Sequence, residues 1–227
     1  MTVLAEPVPP AAVEAFHDGR PLNFWAGLWR RDGVPELGAT DAARAVRAAF
    51  HQHRTWSLAP LTERTARVGG ALRELTAHRD PLVTALAEDT GATRRSAAAE
   101  LDRCVAEVAS CVERIDGLLA GRVPLRGPVS NLPDRDCPPS VVGFAMLVEA
   151  LAGDAVIVRA PEDRGRFLTL VTALAARHRL PLTLVHGGDA GAEDALTRPD
   201  VVGCASYPRD PQRGAAVVRA VTRRAPT

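Results

Sequence analysis

After residue 140 the apolar residues of this chain gather into short runs, VVGFAM, AVIVRA, LTLVH and VVGCAS. The stretches between them, at 163 to 178, 189 to 197 and 211 to 223, read as helices. Apolar runs of strand length separated by helices imply right-handed crossovers and a parallel sheet covered on both faces. Upstream the period is different. From Thr40 the pattern is helical for about eighty residues, with Thr40 or Asp41 as a cap and Ala45, Val46, Ala49 and Phe50 as the first apolar stripe. A second helix carries Val68, Leu72 and Leu75. Asp80-Pro81 starts a third, which Gly91 ends, and Thr93 caps a fourth whose apolar face runs Ala97, Leu101, Cys104, Val105, Val108, Val112, Ile115 and Leu119. Between Gly121 and Pro139 the segment is so rich in Pro and Gly that it predicts a connecting arm without a regular element.

The predicted fold class is therefore α/β: an N-terminal helical layer followed by an open, mainly parallel Rossmann-like sheet of about four strands. Residues 40–227 are expected to form a single domain, with 1–39 as an aromatic-rich extension. Residues 1–38 hold four of the nine aromatic residues, Phe16, Phe24, Trp25 and Trp29. In NFWAGLW the apolar positions Phe24, Trp25, Leu28 and Trp29 recur at i, i+1, i+4 and i+5, one face of a short helix that must bury against something.

Composition removes several function classes. The net charge is +1, with 28 basic and 27 acidic residues spread through every segment, so no stripe exists to track a nucleic acid backbone. Every basic residue is arginine, which excludes Schiff-base chemistry on a lysine. Cys104, Cys111, Cys137 and Cys204 form no C-x-x-C pair and have no His at zinc spacing, so no metal is implied. Buried reduced thiols are expected. The N-terminus lacks a signal-peptide pattern and no apolar run spans a bilayer, which predicts a cytoplasmic protein without a membrane partner.

Several short motifs occur in a specific order. Ala45 to Phe50 is followed by Trp56, then Pro60 with Arg64, Glu88 to Gly91, and Glu100 to Leu101. In the second half stand PPSVVGF, ALAGDAVIVRAPED and LPLTLVHGGDAG. Together they resemble the cofactor-domain half of the aldehyde dehydrogenase superfamily over about residues 40 to 220. The family patterns are a P-V-G-V-V strand, A-L-A-A-G-N-x-V-V-x-K-x-[AS]-E and G-L-P-x-G-V-x-x-V-x-G.

The resemblance implies a dinucleotide site and also implies its decay. It stops before the family's E-L-G-G segment, so neither the general-base glutamate nor the catalytic cysteine has a counterpart. The P-W-N-F-P loop, with its oxyanion asparagine, is expected to be deleted between VVGFAM and LVEALAGD. The ribose-binding lysine and glutamate correspond to Arg159 and Glu162 in RAPE, and Gly187 belongs to the glycine-rich HGGDAG loop. In that loop Asp189 and Glu193 would repel phosphate, so a plain strand-to-helix turn is the better reading, and His186 is expected to be a satisfied hydrogen-bonder. At the family's F-T-G-S turn stand Pro208 and Arg209, and proline removes an N–H donor from the pyrophosphate site. No cofactor is expected, and NAD(P) binding should be weak or lost.

The expectation is a degenerate, truncated relative without aldehyde-oxidising activity, repurposed as a non-redox enzyme or small-molecule-binding protein. Its ligand pocket is expected between Phe24, Trp25 and Trp29 on one side and Arg159, Glu162 and Arg209 on the other, the aromatic segment folding over the cleft of the missing domain. Two alternatives stay open: a pseudoenzyme that partners another protein or forms a homodimer, and a residual NAD(P)-binding module that works with a separate catalytic subunit.

Overall fold

The helical layer forms as predicted, but its first helix opens after Gly38 and its third after His78, neither with a side-chain cap, so Thr40, Asp41 and Asp80 lie inside helices. In the computed structural model, which describes residues 8–30, 37–161, 164–208 and 214–225, α1 spans Ala39–Trp56, α2 Leu61–Ala77, α3 Arg79–Thr90 and α4 Arg94–Leu118. Gly91 closes α3 in the left-handed region, and the Thr93 hydroxyl accepts the Ser96 N–H at 3.2 Å to open α4. A side-chain cap of this kind contributes about 1 kcal/mol. On α4 the predicted face is the buried one, with Ala97, Leu101, Val108 and Ile115 turned inward and Cys111 beside them.

NFWAGLW is not a helix. After a 3-10 turn at Pro10–Ala15 and a small hairpin of β1 (Phe16–His17) and β2 (Arg20–Pro21), β3 (Asn23–Trp25) and β4 (Leu28–Arg30) form a second hairpin. Ala26 and Gly27 turn it with φ of +54° and +76°, the two left-handed positions of a type I′ turn. Glycine takes this conformation freely; alanine takes it at about 1 kcal/mol. The hairpin pairs Phe24 with Trp29 and Trp25 with Leu28, so the i, i+1, i+4, i+5 spacing fits a two-residue hairpin as well as a helix.

The Pro- and Gly-rich arm is not without structure either. It contains β5 (Arg122–Pro124) and β6 (Val129–Asn131), three residues each and too short for alternation to register. The run VVGFAM, predicted as a strand, lies instead in helix α5 (Pro139–Ala152). Pro138 and Pro139 start that helix, Gly153 ends it, and all 14 of its residues are buried. A helix that is apolar all round has no polar face to reveal its period. The first parallel strand is therefore β6, and its strand-to-helix loop is residues 132–138, LPDRDCP; the deletion expected between VVGFAM and LVEALAGD falls inside continuous helix and is not there.

The next elements follow the predicted alternation: β7 (Val156–Ala160), α6 (Arg166–Ala176), β8 (Leu182–His186), α7 (Ala190–Leu196), β9 (Cys204–Ser206) and α8 (Gly214–Ala220); the stretch 211 to 223, read as one helix, instead ends its helix at Ala220 and passes into β10 (Thr222–Arg224). β10 pairs antiparallel with β5. Four strands are parallel in the order β8-β7-β6-β9, and the hairpin adds β3 and β4 antiparallel beside β8. Alternate side chains feed two cores. Ile157 and Val185 pack under α1 and α7 with Val46 and Leu196, whereas Val156, Val158, Leu182 and Leu184 pack under α5 and α6. The hairpin follows the same rule, with Phe24 in the second core and Trp25 against the first. Each large side chain so buried contributes about 1.5–3 kcal/mol.

Candidate functional site

The strand order reverses between β6 and β9, and ligands of open α/β sheets bind at the carboxyl ends beside such a switch point. Arg159 is at that edge, as predicted, and its guanidinium lies 2.9 Å from the Glu193 carboxylate on α7. Gly187 leaves β8 at φ +62°. The Asp189 carboxylate accepts the Ala192 N–H at 2.8 Å to open α7, so HGGDAG serves as a strand-to-helix turn. His186 is buried; its N–H donates to Asn23 Oδ1 at 2.8 Å, its Nε2 is 3.1 Å from the Thr169 hydroxyl, and burial pushes its ring down to about 4. It is a neutral structural residue that ties β8 to the hairpin. Pro208 is buried two residues beyond β9. Glu162 and Arg209 lie outside the described residues.

The cysteines are far from nucleophilic. Burial raises the Cys104 thiol to about 12, and burial raises Cys111 and Cys204 as well. Cys137 is buried with its Sγ 3.7 Å from the Pro138 carbonyl. An activated thiol needs the opposite environment, electropositive and part-exposed.

Behind the switch point lies a buried polar cluster for which the sequence carries no signal. Asn131 Nδ2 donates to Glu149 at 2.6 Å, and burial lifts that carboxyl to about 7. Asp154 accepts the Leu125 N–H at 3.0 Å and is also raised, chiefly by burial. His53 lies 3.8 Å from Asp154, and its Nε2 is 2.9 Å from the Leu125 carbonyl; desolvation lowers its pKa. These groups are enclosed and hold the arm against α1 and α5.

An open groove of about 980 Å³ is found at the opposite, amino edge of the sheet. Its walls are the hairpin (Phe24, Gly27, Trp29), the α1–α2 elbow (Arg54, Trp56, Leu58, Glu63, Arg67) and the end of α6 (Arg177, Arg179, Leu180). The Trp56 indole N–H donates to the Ala150 carbonyl at 2.8 Å, fixing the ring, and the Arg67 guanidinium lies 5.4 Å from its centroid. Phe24 and Trp29 stack with centroids 4.7 Å apart. Phe24 and Trp29 thus line a cavity, but the structure does not bring Arg159 to them, and Trp25 faces the α1 side under the Arg30 guanidinium. Trp56, Leu58, Arg54 and Arg179 are the lining residues that sequence reasoning misses.

Among the described residues no group of three His, Cys, Asp or Glu side chains is placed to hold a metal, and no helix is long and apolar enough to cross a membrane.

Strand order, helical layer and switch point define an α/β domain of the dinucleotide-binding architecture. The family profile described as aldehyde dehydrogenase family matches residues 32–224, and the chain belongs to that family. It is 27% identical over 190 residues to malonate-semialdehyde dehydrogenase 2 of Shouchella clausii, across 74% of this chain and 38% of that protein. To N-succinylglutamate 5-semialdehyde dehydrogenase 1 of Caulobacter vibrioides it is 27% identical over 202 residues, 81% of this chain and 43% of that one. The crystal structure of HpcC from Thermus thermophilus superposes with a TM-score of 0.69 at 21% identity, covering 81% of this chain and 42% of that chain. Delta-pyrroline-5-carboxylate dehydrogenase from Mycobacterium tuberculosis gives 0.68 at 22%, covering 82% and 41%. The chain spans about two fifths of the length of these relatives. The family match begins at residue 32, after the hairpin that walls the groove.

Proposed function

We propose that this chain is a non-redox, small-molecule-binding member of its family, with no aldehyde-oxidising activity of its own, and that its ligand seat is the groove at the amino edge of the sheet. The observation that carries this reading is the groove itself, about 980 Å³ walled by Phe24, Trp29 and Trp56 and rimmed by arginines. An apolar floor with a few convergent polar groups is the usual lining of a small-molecule site.

The carboxyl edge supports the first half of the proposal. NAD(P) bound in the family manner needs Arg159 at the ribose, yet that guanidinium is engaged by Glu193. Asp189 and Glu193 place negative charge at the start of α7, beside Arg159, so this helix end does not offer a phosphate seat either. Pro208 contributes no N–H. These residues do not fit the dinucleotide. The thiols held above their ordinary range argue equally against a cysteine nucleophile.

The test combines two assays on the purified chain. Incubation with an aldehyde panel and NAD or NADP should yield no absorbance at the reduced-nicotinamide band, and cysteine-dependent turnover would overturn the proposal. Tryptophan fluorescence, reporting on Trp29 and Trp56, should respond to apolar ligands in a saturable way that Leu58→Asp abolishes. A response indifferent to that substitution would move the site elsewhere.

A further inference from the structure

The chemical class of the ligand can be taken further, resting on the groove reading above. We propose that the groove takes a small monoanionic carboxylate with a flat apolar body, the body lying against the floor of Phe24, Trp29 and Trp56 and the carboxylate held by Arg54 and Arg179. Four arginines line the groove against two glutamates, Glu14 and Glu63. Two of the four are already committed. Arg67 is paired with Glu63 and donates to the Arg179 carbonyl at 3.0 Å, and Arg177 lies 3.6 Å from Glu74. Arg54 and Arg179 have no carboxylate partner among the described residues, and both are exposed at the lip.

Arg179 is also held in an unusual place. Its φ is +54°, in the left-handed region, although it is not glycine; the conformation costs an L-residue roughly 1–2 kcal/mol. The G-L-P pattern resembled by Arg179-Leu180-Pro181 has glycine there. The conformation is fixed from both sides, by the Arg179 N–H donating to the Ala176 carbonyl at 2.8 Å and by Arg67 on its own carbonyl. A strained backbone that its surroundings hold in place is a mark of functional positions, and here the strain sets a cation beside the groove.

The apolar half of the ligand is matched by the surface. Leu58, 83% exposed, lines the groove together with Phe24, Trp29 and Trp56, and an exposed apolar side chain at the rim of an aromatic floor is the kind of surface that marks a binding site. α1 and α6 both end at the groove, and the partial negative charge of their C-termini disfavours anions there in proportion to their charge, a dianionic phosphate about twice as much as a carboxylate. A single carboxylate facing two planar guanidinium groups is the better match.

The experiment is calorimetric titration of the full chain with 2-naphthoate and with its neutral isostere 2-naphthamide. The carboxylate should bind about tenfold or more tightly than the amide, one well-placed charge-assisted hydrogen bond being of that order. R179G and R54Q should each weaken 2-naphthoate by about tenfold and leave 2-naphthamide unchanged. R179G should also keep or raise the melting temperature, because glycine relieves the left-handed backbone. Equal binding of the two ligands, or 2-naphthoate affinity untouched in both variants, would overturn the carboxylate assignment while Leu58→Asp sensitivity left the groove reading standing. Binding of neither ligand would sink both.

Discussion

Replacing Glu149 with glutamine should stabilise the protein at pH 8 and change little at pH 4.5. Glu149 is 2% exposed, receives one hydrogen bond from Asn131 at 2.6 Å, and has its carboxyl lifted by burial from 4.5 to about 7. Between those two values the native state keeps a proton that the unfolded chain has released. The stability it contributes is therefore full below 4.5 and is lost as pH rises through about 7. Each pH unit of separation is worth about 1.4 kcal/mol, so the buried carboxylate costs the native state about 3 kcal/mol by pH 8. Glutamine keeps the oxygen that Asn131 donates to and removes the charge.

Asp89, pushed up to about 6, and Asp154 have the same sign and leave a shallower slope in the variant. His53 and His186 act oppositely. Their folded values lie below the ordinary 6.5, so stability falls as pH drops below 6.5, and for His186 the loss continues down to about 4. E149Q should thus remove much of the alkaline limb and spare the acid one. Urea unfolding followed by tryptophan fluorescence at pH 4.5, 6, 7 and 8 measures this. A variant no more stable than the parent at pH 8 would refute the reasoning, because Glu149 would then be ionised in the native state without penalty.

Three further outcomes follow from individual contacts. Thr93→Ala should cost about 1 kcal/mol of stability in the same urea assay, by removing the cap on Ser96 N–H. Asn23→Ala takes the acceptor from the buried His186 N–H and should cost about 1–3 kcal/mol, with faster amide exchange in β3 and β8. A thiol reagent at pH 8 should leave Cys104 unmodified in the folded protein and label all four cysteines in urea; rapid labelling of native Cys104 would contradict its burial.

The sequence was most legible where a local signal has one meaning. Gly91 and Thr93 mark the α3–α4 boundary because a left-handed residue followed by a side-chain cap fits little else. The runs AVIVRA and LTLVH became strands because β-branched residues, short length and flanking turns agree. NFWAGLW failed because its spacing has two solutions, and the discriminating detail was the Ala-Gly pair at the turn. VVGFAM failed because a helix enclosed on all sides carries no period, although Pro138-Pro139 and a continuous apolar run longer than a strand spoke for α5. Of the groove only Phe24 and Trp29 were legible: its other walls come from residues 51–67 and 173–181, and nothing local says that the α1–α2 elbow meets the end of α6. Arg159 at the carboxyl edge was placed correctly, but its ion pair with Glu193 depends on a helix 34 residues away.

The most direct test of the central claim, that the ligand seat is the amino-edge groove and not the carboxyl edge, is hydrogen–deuterium exchange of the full chain with and without saturating 2-naphthoate. Protection is predicted in β3–β4, in the last turn of α1 through Leu58 and at 176–180, all lining or adjoining the groove. Protection confined instead to β7 and its exit and to residues 186–193, around Arg159, Gly187 and Glu193, would contradict it.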